Sequence, residues 1–217
     1  MKRRNFSASL LGASFGSAGF GVPTSAFAQS SPVEGTHYVR LSQPMPAPAH
    51  GKLEVVEFFW YGCPHCNDFE PALEAWTKKL PPDVVFRRAP VAFRPEPHGT
   101  HQRLYFSIEA MGLVPTLHRK VFYAIHNERL ALDKPADISA FVAKNGVDGA
   151  KFLDVFNSFS VQTKARQAQQ LSEAYKIDGV PALGVQGRFY TSGSLAGSND
   201  RSIAVVDYLL KLLRSGS

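Results

Sequence analysis

The chain is poor in cysteine, in charge of one sign and in long apolar runs, and each shortage excludes something. Two cysteines in 217 residues rule out a disulfide-framework protein. Lysine and arginine together number 24 against 18 aspartates and glutamates, and they gather into no long block. A nucleic-acid footprint is therefore absent from the pattern, and a pair such as Arg87-Arg88 reads as a solvated edge or an ion-pair partner. No stretch reaches the ~20 continuous apolar residues of a membrane span. The nearest, residues 6–22, is interrupted by Gly12, Gly16, Gly19 and Gly21.

That broken stretch has a different reading. Lys2, Arg3 and Arg4 precede it and Ala26-Phe27-Ala28 follows it, the layout of a signal peptide spanning 1–28. Cleavage before Gln29 would leave 189 of the 217 residues, with the formal charge falling from +6 to +3. The expected product is an exported, periplasmic protein; Arg3-Arg4-Asn5-Phe6 leaves the general and twin-arginine routes both open. Export leads to a compartment where disulfides persist, and there the two cysteines stand only three positions apart, Cys63 and Cys66. As a staple so short a loop contributes only about 2 kcal/mol. Chemistry explains the spacing better.

The patterning places that pair. Residues 53–61 hold Val55, Val56, Phe58, Phe59, Trp60 and Tyr61, a near-continuous apolar run expected of a strand buried on both faces. Gly62 ends it, Pro64 suits a first helical turn, and Phe69, Leu73, Trp76 and Leu80 recur at helical spacing up to Pro81-Pro82. A second strand over 84–89 completes a βαβ unit. Helical spacing then dominates: Leu104, Ile108 and Met111; Leu117, Val121 and Ile125; Phe141 after Pro135; Phe152 and Phe156; and a longer run from Val161 to Tyr175. Strand character returns at 182–185 and 188–190 around a Gln186-Gly187 turn. A last helix from Asn199 presents Ile203, Val206, Leu210 and Leu213. The expected fold class is α/β: a sheet domain, 29–95 and 164–217, split by an all-helical insertion, 96–163.

Cys63 falls at a helix N-terminus, where free N–H groups and the positive end of the dipole lower a thiol pKa, and it is the expected exposed nucleophile. Cys66, one turn further in, is the shielded resolving thiol. His65, when protonated, can stabilise a nearby thiolate. Val180-Pro181 precedes a strand in a loop able to fold against the pair, and X–Pro bonds adopt cis cheaply. Glu57, an acid in an apolar strand, is expected to have a raised pKa from desolvation or to pair with Arg88. A metal site using the two thiols with His98 and His101 is the competing reading; haem attachment is excluded because Asn67 follows Cys66. His98, His101, His118 and His126 read otherwise as ordinary surface or helix histidines.

The run Val55-Val56-Glu57-Phe58-Phe59-Trp60-Tyr61-Gly62-Cys63-Pro64-His65-Cys66 resembles the active-site segment of the DsbA family of periplasmic disulfide-forming oxidases. Gly179-Val180-Pro181-Ala182 resembles that family's cis-proline loop. The resemblance covers nearly the whole chain after residue 28 and implies a thioredoxin-like fold with the helical insertion. It also implies a monomer that needs no cofactor beyond a redox-active Cys63–Cys66 disulfide, reduced exported proteins as clients, and a DsbB-type quinone-linked membrane oxidase as partner. By the same resemblance Cys63, Pro64, His65 and Cys66 form the catalytic run, Val180 and Pro181 position substrate, and Glu57 lies beneath Cys66 to relay its proton. DsbA is itself the reference case for a strongly depressed cysteine pKa and an oxidising potential, so that expectation belongs to the resemblance. Two other readings stand beside it: a reductase or isomerase on the same fold, for which the chain leaves no room for a dimerisation domain, and a non-catalytic peptide- or metal-binding module.

Overall fold

In the computed structural model, residues 31–46 and 51–216 are described; the leader and its cleavage site lie outside them. In chain order the elements are β1 (Val39–Arg40), β2 (Leu53–Phe59), α1 (Pro64–Thr77), β3 (Val84–Pro90), α2 (His98–Ala110), α3 (Val114–His126) and α4 (Pro135–Lys144). There follow α5 (Gly149–Phe156), α6 (Phe159–Ala174), β4 (Ala182–Val185), β5 (Phe189–Ser192), α7 (Gly193–Ala196) and α8 (Asn199–Ser215). The strands form one mixed sheet in the order β1-β5-β4-β2-β3.

Strand β2 sits between a parallel neighbour, β3, and an antiparallel one, β4. Its last five residues are buried, as the unbroken apolar run requires. On one face Val55 packs with Phe69 and Leu73 of α1 and with Val206 and Leu209 of α8. On the other, Val56 and Phe58 join Tyr175 and the apolar residues of the helical segment. The parallel register sets Glu57 directly opposite Arg88.

Local chemistry explains most element ends. Proline opens α1, α3 and α4 within the first two positions, where its missing N–H costs nothing. Asp148 caps α5 by accepting from the N–H groups of Ala150 and Lys151, and Ser158 caps α6 through the N–H of Val161. The β4–β5 turn has positive φ at both central residues, Gln186 (53°) and Gly187 (61°), matching the mirror-image hairpin turns. Gln186 is held there by its N–H to the Glu54 carbonyl and by its side-chain oxygen on the Glu54 N–H.

Several expectations shift. Helix α1 ends at Thr77, not at Leu80, because Lys79 and Leu80 turn back in three-residue bonds to Trp76 and Thr77. A division at 163/164 falls inside α6, whose cap at Ser158 starts the helix at Phe159. The buried face of α8 is carried by Ser202, Val205, Val206, Leu209 and Leu210, with Ile203 and Leu213 only part-buried. The short elements β1 and α7 had no counterpart in the pattern.

Candidate active site

Helix α1 begins immediately after Cys63, which stands at its N-cap with extended backbone (φ −88°, ψ 116°). Pro64 removes one competing donor, so the first open N–H groups are those of His65 and Cys66. No acidic side chain occupies the first turn. The Cys63 thiol is lowered to about 6, chiefly by a hydrogen bond from the Cys66 thiol; partial burial opposes this, while the N–H groups of Cys66 and His65 and the charge of His65 assist. Cys66 shows the opposite behaviour. It is fully buried, and desolvation, followed by its interaction with Cys63, pushes its thiol well above the ordinary value. Cys63 keeps 8% of its surface, so it is the more accessible of two well-covered sulfurs.

The loop before β4 closes on this pair. The Val180–Pro181 bond is cis, and the Val180 carbonyl accepts from the Cys63 thiol at 3.4 Å. A cleft of about 650 Å³ opens beside it, lined by His65, Val180, Pro181, Tyr190, Leu195 and Asn199 among others. The His65 side chain is exposed at its rim, and its carbonyl meets the Asn199 amide at 3.5 Å.

A buried polar cluster adjoins the site, with Glu57 near enough to Cys66 to act on its thiol. Arg88 donates Nε to Glu57 at 2.9 Å and Nη2 to Glu70 at 3.0 Å. Both carboxylates are fully buried. Desolvation first, and then the negative charge of Glu70, raises Glu57 to about 8 despite Arg88. Glu70 moves the other way: burial would raise it, but the hydrogen bond with His118 and the Arg88 and Arg119 charges hold it below the usual carboxylate range. Glu57 is thus hydrogen-bonded to Arg88 while its pKa is raised, so the two expectations for it are compatible.

His118 corrects a second expectation. It is buried, with Nε2 on Glu70 at 3.0 Å and Nδ1 on the Tyr61 hydroxyl at 2.8 Å. His98 and His101 are also buried, the first stacked on Trp60 at 4.0 Å, and His126 Nε2 bonds the Tyr61 carbonyl. Among the described residues no group of three or more His, Cys, Asp or Glu is arranged to hold a metal ion. Glu70 lies four residues after Cys66, on the same helical face, which was a usable signal. His118 comes from α3, 48 positions from Glu70, and no local pattern marks it.

Comparison with known proteins agrees with this geometry. Residues 100–202 match the family model described as a DSBA-like thioredoxin domain. The thiol:disulfide interchange protein DsbA of Bordetella parapertussis is 46% identical over 86% of this chain and 90% of its own. That of Burkholderia cepacia is 42% identical over 84% and 86%. The crystal structure of Pseudomonas aeruginosa DsbA superposes with a TM-score of 0.82 at 40% identity, covering 85% of this chain and 95% of that one. The oxidoreductase DsbA of Xylella fastidiosa gives 0.77 at 30%, covering 85% and 98%. With an α/β thioredoxin-like fold and its cysteine pair poised at a helix start, this chain belongs to the DsbA family and is a thiol:disulfide oxidoreductase.

Proposed function

We propose that the protein works as an oxidase in the periplasm, passing a Cys63–Cys66 disulfide to reduced exported proteins and being reoxidised by a DsbB-type, quinone-linked membrane oxidase. The observation that carries this is the asymmetry of the two thiols, one lowered to about 6 and the other raised well above the ordinary range. A client thiolate attacks Cys63 Sγ, the client S–Cys63 bond forms, and the Cys63–Cys66 bond breaks with its electron pair on Cys66. Cys66 is a poor buried anion and takes a proton, which Glu57 supplies. A second client thiolate then attacks the client sulfur of the mixed disulfide. Cys63 leaves as a thiolate, held by the Cys66 thiol, by the N–H groups of His65 and Cys66, and by His65 itself. The client gains a disulfide and the enzyme ends as a dithiol.

In this reading Pro64 keeps the helix start free of a competing donor, and Val180 with Pro181 forms the edge on which an extended client segment lies, in the manner of strand addition. The client enters by the cleft between His65, Tyr190 and Asn199. The catalytic groups of this proposal all lie on β2, the start of α1 and the loop before β4, and apolar residues of the helical segment pack around Cys66.

Lowering Cys63 from 9.0 to about 6 stabilises the reduced form at pH 7 by about 1.4 kcal/mol, roughly 30 mV of oxidising power. The decisive measurement is the potential of the Cys63–Cys66 couple against glutathione buffers. A value more positive than about −180 mV supports the oxidase; one below about −230 mV makes the protein a reductase.

A further inference from the structure

Arg88 is one cation serving two fully buried carboxylates. With both ionised and His118 neutral, the cluster would carry a net negative charge out of contact with water, which is costly. It therefore retains one proton, and the place of that proton is set by what else the two acids touch. Glu70 has both oxygens occupied, Oε2 by Arg88 and Oε1 by His118 Nε2. Glu57 has Oε2 on Arg88, while its buried Oε1 has no partner. An acid with every lone pair engaged by donors favours its ionised form; one with an unpartnered oxygen takes the proton there.

His118 decides this arrangement. Its ring is packed edge-on or tilted among Phe59, Tyr61, Tyr105 and Phe122, with centroids 5.3 to 5.8 Å away. Burial disfavours its charged form, against the pull of Glu70. A neutral ring with Nε2–H pointing at Glu70 and Nδ1 accepting from the Tyr61 hydroxyl satisfies both bonds, and it is the tautomer that an ionised Glu70 requires. We infer that His118 is a positioning residue of the disulfide exchange: by donating Nε2–H to Glu70 it keeps Glu70 ionised and so leaves Glu57 as the acid that carries the exchangeable proton. The inference deepens the relay role proposed for Glu57 and rests on it.

The other groups facing the cluster are consistent with this placement. From α1 come Cys66 and Glu74, from β3 Arg88, and from α2 Tyr105. From α3 comes Arg119, whose charge also favours ionised Glu70. Strand β4 sets only Leu183 beside Glu57. None of them hydrogen-bonds Glu57 Oε1, so the His118–Glu70 bond is the feature that distinguishes the two acids.

The test is to follow the glutamate carboxyl resonances of isotope-labelled reduced protein against pH, assigned with Glu57→Gln and Glu70→Gln. In the native chain Glu57 should titrate well above the usual carboxylate range and Glu70 below it. In His118→Phe, which keeps an aromatic ring in the cage, Glu70 should titrate higher and Glu57 lower by about one pH unit or more. The pH profile of single-turnover oxidation of a dithiol peptide should move down with Glu57. His118→Gln, which retains an N–H donor, should restore both. If His118→Phe fails to fold, Tyr61→Phe serves in its place: it frees the His118 tautomer and should shift the two acids in the same direction. Unchanged carboxyl titrations in a folded variant, or a native Glu57 already ionised at neutral pH, overturn the inference. If the carboxyls respond as stated while Glu57→Gln keeps the native turnover profile, the relay role of Glu57 fails and the control of proton placement by His118 stands.

Discussion

Cys63 and Cys66 share a helix turn but face different solvents. One has three donors and a little exposure; the other is fully buried, with Glu57 near enough to act on it. Their neighbours give two predictions. His65 is exposed at the cleft rim, and its charge is the last of the causes lowering Cys63. His65→Ala keeps the backbone N–H and removes only that charge, so the Cys63 pKa should rise by under about one unit and the couple should become a weaker oxidant by under about 30 mV. Glu57, raised to about 8, gives the larger effect. Its folded pKa exceeds its unfolded one, so its contribution to stability is fully present below about pH 4.5 and is lost as pH rises through 8. Glu57→Gln should therefore be more stable than the native protein at pH 8, on the order of a few kcal/mol, with the gain vanishing near pH 4.5. Denaturant titrations at the two pH values check this; equal gains at both would show that packing, not protonation, is responsible. Cys63, Cys66, Glu57 and Arg88 were legible from the sequence because they sit on adjacent, strongly patterned elements. His118 was not, because its role arises from a contact between α1 and α3 that no local period encodes, while Glu70 was marked only by its spacing from Cys66.

At the scale of elements, legibility followed length and punctuation. Strand β2 and the start of α1 were readable because an apolar run, Gly62 and Pro64 act in sequence. Strand β1, two residues, and α7, four residues, are too short to show a period. The interior of α1 contains Pro71, which cannot donate to the Asn67 carbonyl; Arg119 of α3 donates to that carbonyl instead at 3.3 Å. The proline thus ties α1 to the helical segment at the level of the catalytic turn. Gly184 in β4 shows how tightly the sheet meets its cover. A Cβ there would lie 2.6 Å from the Tyr175 ring and 2.8 Å from Val56 Cγ1. Tyr175 cannot retreat easily, since its hydroxyl accepts from the Gly187 N–H and its ring packs on Phe58 at 5.0 Å. Gly184→Ala should cost about 1–3 kcal/mol through overpacking, read as a lowered unfolding midpoint. A neutral or stabilising change would mean that α6 is free to move away from the sheet.

For the whole molecule, the redox state and the folding equilibrium are coupled through the same two sulfurs. In the reduced protein, Cys63 has a folded pKa of about 6 against 9.0 for an ordinary thiol. A depressed acid contributes stability that is fully present above the unfolded pKa and lost as pH falls through the folded one. The reduced form should accordingly gain stability over the oxidised form from pH 6 to 9, about 1.4 kcal/mol by pH 7 and about 4 kcal/mol by pH 9. Cys66 has the opposite sign. Its raised pKa adds nothing to this change while both folded and unfolded thiols stay protonated, but above pH 9 the unfolded thiol ionises and the buried one resists. The advantage of the reduced form should therefore level off and then decline at higher pH. Glu57 is present in both redox states and cancels to first order, as does the fixed loop-closure contribution of the disulfide to the oxidised form. Denaturant midpoints of the two forms, measured in parallel across this range, should diverge with a slope approaching 1.4 kcal/mol per pH unit between 7 and 8. A separation that does not change with pH would show that the Cys63 thiolate is not held by the folded structure. In that case the helix start would not be the source of oxidising power.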